Sequence, residues 1–136
     1  MDGAARGNPG PAGAGWVVET PEGTVVEDGC AYLGERTNNQ AEYEALIRAL
    51  EAVDPDSETT LTVYSDSELL VRQLNGEYRV KNPGLLERHR RATRRLSRAA
   101  GWTIRHVDRE ENRDADALAN QAIDAYALEG EASGEA

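Results

Sequence analysis

The chain is poor in cysteine, lysine and long apolar runs, and each shortage excludes a class of protein. Cys30 is the only cysteine among 136 residues, so no disulfide can form within the chain and no cluster of thiolates can bind zinc. A packed, unreactive thiol is the role we expect for it. No apolar run approaches the roughly 20 residues of a membrane-spanning helix, and no basic segment followed by an apolar one opens the chain. We therefore expect one soluble, cytoplasmic domain that does not enter a membrane.

Lysine is nearly absent. Lys81 is the only one, against 14 arginines and 25 acidic residues. The net charge of −10 argues at first against a nucleic-acid partner. An excess of acids with so little lysine is typical of a protein that stays soluble at high salt. GC-rich coding explains the preference for arginine equally well, and the sequence does not decide between the two.

The positive charge is concentrated in one stretch, from Arg79 to Arg105. This stretch contains nine basic residues and one acid, Glu87, which gives it a net charge of +8 and leaves −18 for the rest of the chain. A basic segment within an acidic body is a typical footprint of a polyanion partner. The alternative is a solvated helix face that only balances the acidic body.

Apolar periodicity and turn residues predict an α/β chain with a mixed sheet. Residues 2–13 are rich in glycine, proline and asparagine and are predicted to be a loop. A turn signal at residues 20–23 joins two runs of β-forming residues into a hairpin. The predicted elements, in order, are strands over 14–19 and 24–33, a helix from Thr37 to about Val53, a strand over 61–65, a helix opened by 65–67 and running to Leu74, a helix over 85–99, a strand over 102–107, and a helix over 114–128 whose inward residues include Tyr126.

Four acidic side chains stand where a polar, turn-rich segment meets an apolar run: Asp2, Glu42, Asp66 and Asp116. Carboxylates gathered at one point repel one another unless divalent cations hold them, and Mg²⁺ or Mn²⁺ prefers such hard oxygen ligands. Two such ions about 3.5–4 Å apart form the usual clamp for displacement at a phosphodiester. This chemistry requires a fold that brings the four acids together.

Several segments, taken together and in this order, resemble type 1 ribonuclease H: DGAARGNPGPAGAGW, TNNQAEYEAL, VYSDS and NRDADALA. The stretch GEYRVKNPGLLERH is similar to the short-loop branch of that family found in archaea and some bacteria. The resemblance covers nearly the whole chain, from Asp2 to about Tyr126. It implies a ribonuclease H-like fold with a mixed five-stranded sheet flanked by helices. We expect this domain over residues 1–128 and an acidic, disordered tail over 129–136.

The resemblance also implies an activity. A member of this family is an endonuclease that hydrolyses the RNA strand of RNA–DNA hybrids with two Mg²⁺ or Mn²⁺ ions and leaves 5′-phosphate and 3′-hydroxyl ends. Asp2, Glu42, Asp66 and Asp116 fall on the family's four metal-binding carboxylates, with Asp2 bridging both ions. Asp114 is expected to be a surface acid or a helix cap. We expect a monomer that binds the hybrid and has no obligate protein partner.

Selectivity for RNA is expected to come from the 2′-hydroxyl group and the minor groove of the hybrid. By the resemblance, the residues expected at the hybrid are Gly3, Asn8, Thr37, Asn38, Asn39, Arg79 and Lys81. The three asparagines match positions that reach into the groove, the glycine backbone approaches the sugar, and the threonine grips a phosphate of the DNA strand. Turn and cap chemistry is the alternative for the asparagines, and both roles can hold together.

The chain departs from the better-known bacterial members, which carry a histidine in a flexible loop before the last helix. Arg109 falls near that place, in a shorter loop. An arginine stays charged and cannot act as a general base. We count Arg109 among the catalytic residues because it can bind the cleaved phosphate and assist product release, and a surface ion pair with a neighbouring acid is the alternative. His106 and His89 are expected to be structural.

The largest departure is at the start. In this fold a first strand precedes the metal-binding aspartate and runs through the middle of the sheet, whereas Met1 stands directly before Asp2. A missing central strand leaves backbone groups of its neighbours unpaired. We therefore expect several β-forming residues to belong upstream of Met1.

Two other functions compete with the nuclease. One is a non-catalytic module that holds hybrid or double-stranded RNA, and the other is a related polynucleotidyl transferase such as an integrase or a Holliday-junction nuclease. A binding module gains nothing from negative charge clustered against phosphates. The segments TNNQAEY and GNPG favour ribonuclease H over the transferases.

Overall fold

The computed structural model of the chain describes the backbone of residues 1–134 and the side chains of residues 1–128. The elements, in chain order, are β1 (Asp2–Ala5), β2 (Gly10–Glu19), β3 (Val25–Arg36), α1 (Asn38–Val53), β4 (Thr60–Ser65), α2 (Glu68–Leu74), α3 (Pro83–Leu96), β5 (Gly101–His106), a 3₁₀ helix (Arg109–Asn112) and α4 (Arg113–Gly134). The predicted order of hairpin, helix, strand, two helices, strand and helix is confirmed. The first strand, β1, and the 3₁₀ helix are additional.

The predicted loop over residues 2–13 is wrong, because this segment contains β1 and the first part of β2. β2 pairs antiparallel with β1 on one side, where Asp2 lies opposite Gly15, and with β3 on the other, where Gly15 lies opposite Cys30. Glycine and alanine are depleted in strands, so the segment carries little strand signal. Its small residues are needed because α4 lies against β2. A Cβ atom on Gly15 would lie 2.1 Å from the backbone oxygen of Ala115.

Helix α1 begins at the cap that the sequence predicted. The Thr37 hydroxyl accepts a hydrogen bond from the Gln40 backbone N–H, and the Gln40 side chain accepts one from the Thr37 N–H. This capping box satisfies two backbone donors that the helix itself cannot pair. Inside the core, the Tyr43 hydroxyl donates to Gln73 Oε1 at 2.6 Å and ties α1 to α2.

The strands form two hydrogen-bonded groups. β1, β2 and β3 form an antiparallel group, and β4 and β5 form a parallel pair, so the chain has the expected mixed arrangement of five strands without one continuous ladder. The groups meet where the Met1 amine donates to the Tyr64 carbonyl oxygen at 3.2 Å. The α/β class and the flanking helices are confirmed.

A cavity of about 660 Å³ separates the two groups beyond Met1. Residues 17–19 of β2 form one side, residues 60–64 of β4 form the other, and Leu46, Leu50 and Val53 of α1 also line it. Within the described residues, neither of these strand edges has a partner strand at the cavity. The expectation that β-forming residues belong upstream of Met1 stays a prediction, and the cavity makes it testable.

The helices cover both faces of β1 and β2. Successive residues of a strand point to opposite faces, and Gly3 contacts α1 whereas Gly15, opposite Asp2, contacts α4. α3 packs on α1. None of the helices in the described part of the chain is long and apolar enough to cross a membrane.

Two side chains that were expected to be buried are exposed. Cys30 is exposed, in a strand whose first residues, from Val25 to Asp28, are exposed as well. Tyr126, near the end of the described part of α4, is 52% exposed. One face of its ring stacks on Tyr32 with 3.8 Å between the ring centroids, and this contact replaces the expected burial in the core.

The predicted tail over residues 129–136 is not tested. Helix α4 extends to Gly134, and residues 135–136 lie outside the described residues, as do all side chains from residue 129 onward. The division into a domain over 1–128 and an acidic tail stays a prediction.

Joining an extended segment such as Val-Thr-Val-Tyr-Val to the amino group of Met1 is expected to stabilise the protein. The segment would pair with the free edges of β2 and β4 and cover the apolar cavity, which we expect to raise the free energy of unfolding by about 2 kcal/mol or more. Urea denaturation measures this change. A Gly-Ser segment of equal length is the control, and equal stability of the two extended chains would contradict the prediction.

Candidate active site

Three carboxylates from distant parts of the chain meet beside the free end of β1. Asp2 lies on β1, Glu42 lies in the second turn of α1, and Asp66 follows the last residue of β4. One oxygen from each lies within 4.8 Å of the others. Asp2 and Glu42 are buried, at 3% and 8% exposure, and Asp66 is partly buried. The fold thus brings together three of the four acids that the sequence singled out.

Glycine at position 3 allows α1 to deliver Glu42. A Cβ atom on Gly3 would lie 2.1 Å from the backbone oxygen of Ala41, so any larger residue would push β1 and α1 apart. In this close contact the Gly3 N–H donates to Glu42 Oε1 at 3.2 Å. The glycine is therefore explained by packing and by the orientation of Glu42, and its expected approach to the sugar of the hybrid stays a prediction.

Burial and mutual repulsion disfavour the charged forms of these acids. Burial raises the pKa of Asp2, and the neighbouring carboxylates of Glu42 and Asp66 raise it further. Burial also raises the pKa of Glu42, and the neighbouring Asp66 carboxylate raises it further, whereas the hydrogen bond from the Gly3 N–H lowers it. The second carboxylate oxygen of Glu42, Oε2, is buried and has no hydrogen-bond partner among the described residues.

Asp116, the fourth acid, lies next to Asp2 but outside the group of three. It stands in the first turn of α4 and is partly buried. The nearby Asp116 carboxyl is the smallest of the causes that raise the pKa of Asp2. Asn120 Nδ2 donates to the Asp116 backbone oxygen at 3.0 Å and lies 3.4 Å from Oδ1. The neighbouring Asp114 is exposed, as expected of a surface acid.

Asn112 is a site residue that the sequence reading missed. It is 7% exposed, and its Nδ2 donates to the backbone oxygen of Met1 at 2.9 Å. This bond joins the start of α4 to the residue before Asp2. The sequence contains a feature that could have identified Asn112, since this residue opens the NRDADALA segment four residues before Asp116. His106 lies nearby, with Nε2 3.2 Å from the Asp66 backbone oxygen.

The polar residues expected to contact the hybrid flank the cluster, and they also hold its backbone. Asn38 Oδ1 accepts from the Ala5 N–H at 3.1 Å, and Asn8 Oδ1 accepts from the Asn38 N–H at 3.1 Å. Thr37 caps α1. Cap and turn chemistry is therefore present, while both amides and that of Asn39 stay exposed.

The basic residues expected to act on the substrate are exposed. Arg79 and Lys81 lie in the segment between α2 and α3, and Arg109 opens the 3₁₀ helix. Among the described residues, Arg109 has no acidic partner within salt-bridge distance, so the alternative of a surface ion pair finds no support. Their roles toward a substrate are not tested.

Comparison with known proteins identifies relatives along nearly the whole chain. The sequence profile of a family described as "Reverse transcriptase-like" matches residues 1–122. The chain is 46% identical over 124 residues to ribonuclease HI of Halobacterium salinarum, which covers 91% of this chain and 62% of that protein. It is 35% identical to ribonuclease H of Methylococcus capsulatus, over 90% of this chain and 86% of the relative.

A solved structure has the same fold. The crystal structure of LC11-RNase H1 in complex with an RNA/DNA hybrid superimposes with a TM-score of 0.87 at 45% identity, over 92% of this chain and 94% of the other. The match to the family profile, over residues 1–122, includes all four acids. The chain belongs to the ribonuclease H family.

Proposed function

We propose that the chain is an endonuclease that hydrolyses the RNA strand of RNA–DNA hybrids. The observation that carries the proposal is the convergence of Asp2, Glu42 and Asp66, with one buried oxygen of Glu42 left without a partner. Buried carboxylates held this close are stable as anions only with cations between them. A related structure that contains an RNA/DNA hybrid supports the choice of substrate.

The donor set fits a hard divalent cation. All four ligands are carboxylates, and no thiol or imidazole is present in the group of three. We propose Mg²⁺ or Mn²⁺ as the cation and two ions per site. Asp2, Glu42, Asp66 and Asp116 would hold them. When bound, such ions supply Lewis-acid activation of the phosphodiester and of the water that attacks it.

The protein's own residues fix the position of these ligands. The Gly3 N–H orients Glu42, and the Asn112 amide holds the backbone next to Asp2. The Asn120 amide holds the first turn of α4 at Asp116. In the proposed reaction a water oxygen bonds to phosphorus, the bond from phosphorus to the 3′ oxygen breaks, and the products carry 5′-phosphate and 3′-hydroxyl ends.

Substrate selectivity is assigned to the polar rim of the site. Exposed amides both donate and accept hydrogen bonds, as does the 2′-hydroxyl group that distinguishes RNA from DNA. We propose that Asn8, Asn38 and Asn39 contact the minor groove, that Thr37 contacts a DNA phosphate, and that Arg109 binds the cleaved phosphate. Arg79 and Lys81 would contact the hybrid backbone, and the Gly3 backbone would lie near a sugar.

We also propose a cytoplasmic location. Cys30 is a free, exposed thiol, and such thiols persist in reducing compartments.

Replacing Asp66 by asparagine is expected to abolish cleavage of an end-labelled RNA–DNA hybrid. Loss of one carboxylate ligand removes several kcal/mol of charge stabilisation, which corresponds to a rate decrease of roughly 100-fold or more. Asp114→Asn is the matched control, because Asp114 is an exposed acid in the same turn as Asp116. All-DNA and all-RNA duplexes test specificity. Equal activity of Asp66→Asn and the unchanged chain would contradict the assignment, and binding of hybrid without metal-dependent cleavage would favour a binding module.

Asp2→Asn is expected to stabilise the metal-free protein while abolishing its activity. The ordinary pKa values of Asp2 and Glu42 are 3.8 and 4.5, and both pKa values are raised in the folded chain. Their contribution to stability is therefore fully present below about pH 4 and is lost as the pH rises through the raised values. Asp2→Asn removes one of the buried, mutually repelling negative charges and so restores part of the stability that is lost at neutral pH. We expect its Tm to be higher by roughly 2–8 °C.

Thermal unfolding in EDTA between pH 4 and pH 8 measures this effect. The difference in Tm between Asp2→Asn and the unchanged chain should grow with pH and shrink when Mg²⁺ or Mn²⁺ is added. A difference that is independent of both pH and metal would show that Asp2 acts on stability through packing alone.

A further inference from the structure

The outer face of α3 carries four exposed arginines: Arg90, Arg91 and Arg94, and Arg98 in the turn that follows the helix. We call them the outer arginines. At 100° per residue they fall on the side of the helix opposite the buried Leu85, Ala92 and Leu96. Within the described residues, none of the four has an acidic partner at salt-bridge distance.

Two other arginines of α3 have a structural role, because each lies close to an acid of α1. Arg88 lies 3.8 Å from Glu44, and Arg95 lies 3.7 Å from Glu51. Both acids belong to α1, so these pairs fasten α3 to α1. The outer arginines have no such function in packing.

Their charge is opposite in sign to the net charge of the chain. The chain has 25 acidic residues, yet Glu87 is the only acid in α3. Like charges three and four residues apart on a helix repel one another and reduce its stability slightly. A face that only had to be solvated would not require four cations in a chain with a net charge of −10.

The direction of α3 relates the start of this helix to the active site. α3 and α1 run parallel, because Gly84 lies beside Gln40, Arg88 beside Glu44 and Arg95 beside Glu51. The first turn of α3 therefore lies at the same end as the cap of α1 and Glu42. From there the outer arginines lead away along the helix, over about 12 Å between Arg90 and Arg98 at 1.5 Å per residue.

We propose that the outer arginines bind the phosphate backbone of the hybrid beyond the segment that the active site holds. This inference rests on the proposed function. Guanidinium groups pair with phosphate oxygens in a bidentate manner, and phosphates follow one another about every 3.4 Å along one strand of a duplex. A stripe of about 12 Å therefore spans three or four phosphates. The face lengthens the binding site and contributes no base specificity.

Binding to hybrids of two lengths, measured by fluorescence anisotropy over a range of salt concentrations, tests the proposal. The protein carries Asp66→Asn so that the hybrid stays intact. Arg90, Arg91, Arg94 and Arg98 are changed together to glutamine. Because all four side chains are exposed, the variant is expected to keep its fold, which its Tm checks.

For a hybrid of about 24 base pairs, log affinity falls as log salt rises, and the four substitutions should make this negative slope shallower by about 3, since each phosphate contact contributes about 0.9 to its steepness. We expect the active site alone to hold a hybrid of about 8 base pairs, so the slope for this short hybrid should stay nearly unchanged. Arg94→Gln alone should make the slope shallower by about 1 on the long hybrid. Arg105→Gln removes one exposed charge from β5 instead and is the matched control. It should leave the slope on the long hybrid unchanged.

Equal slopes for the quadruple variant and its parent on the long hybrid would overturn the proposal and leave the proposed function intact. Equal losses on both hybrids, or an equal effect of Arg105→Gln, would also overturn it, because they indicate general electrostatic attraction. An unchanged chain that neither binds nor cleaves hybrid would overturn the proposed function, and this inference with it.

Discussion

The contact between glycine-bearing strands and two helices is the constraint on which the site depends. Ala41 of α1 lies so close to Gly3 that a side chain there would overlap its carbonyl group, and Ala115 of α4 lies equally close to Gly15. Gly15 is the cross-strand neighbour of Asp2. One helix therefore delivers Glu42 and the other delivers Asp116, each to the same short strand. Larger residues in either contact would move an acid away by more than the tolerance of metal coordination.

The same closeness makes the cluster costly in the absence of cations. Two acids are buried, their pKa values are raised, and one oxygen of Glu42 is unpaired. The Gly3 N–H orients the Glu42 side chain, and the amides of Asn112 and Asn120 hold the surrounding backbone while the acids repel one another. A rigid backbone that holds mutually repelling carboxylates is what a cation-binding site requires, because the bound cation supplies the compensating positive charge.

Local chemistry explains which features the sequence predicted. The cap at Thr37, the amphipathic stripe of α1 and the hairpin turn each depend on residues that are neighbours in the chain, and all three are found. The four acids were identified from their motifs, and three of them converge as a group with the fourth beside Asp2. β1 and the start of β2 were missed because their residues are selected for contact with helices that are remote in sequence, which leaves no strand pattern. The exposure of Cys30 and Tyr126 depends on where the sheet and α4 end, and the role of Asn112 depends on a contact with the opposite end of the chain.

The register of the sheet gives the lone thiol a further use. Asp2, Gly15 and Cys30 lie opposite one another on three adjacent strands. Adjacent strands are about 4.8 Å apart, so the backbone of Cys30 lies roughly 10 Å from that of the central acid. A nitroxide attached to the Cys30 sulfur would therefore detect a paramagnetic ion bound by Asp2, Glu42 and Asp66, because the ion would broaden the nitroxide spectrum through dipolar coupling. This label needs no engineered cysteine and leaves every proposed metal ligand unchanged.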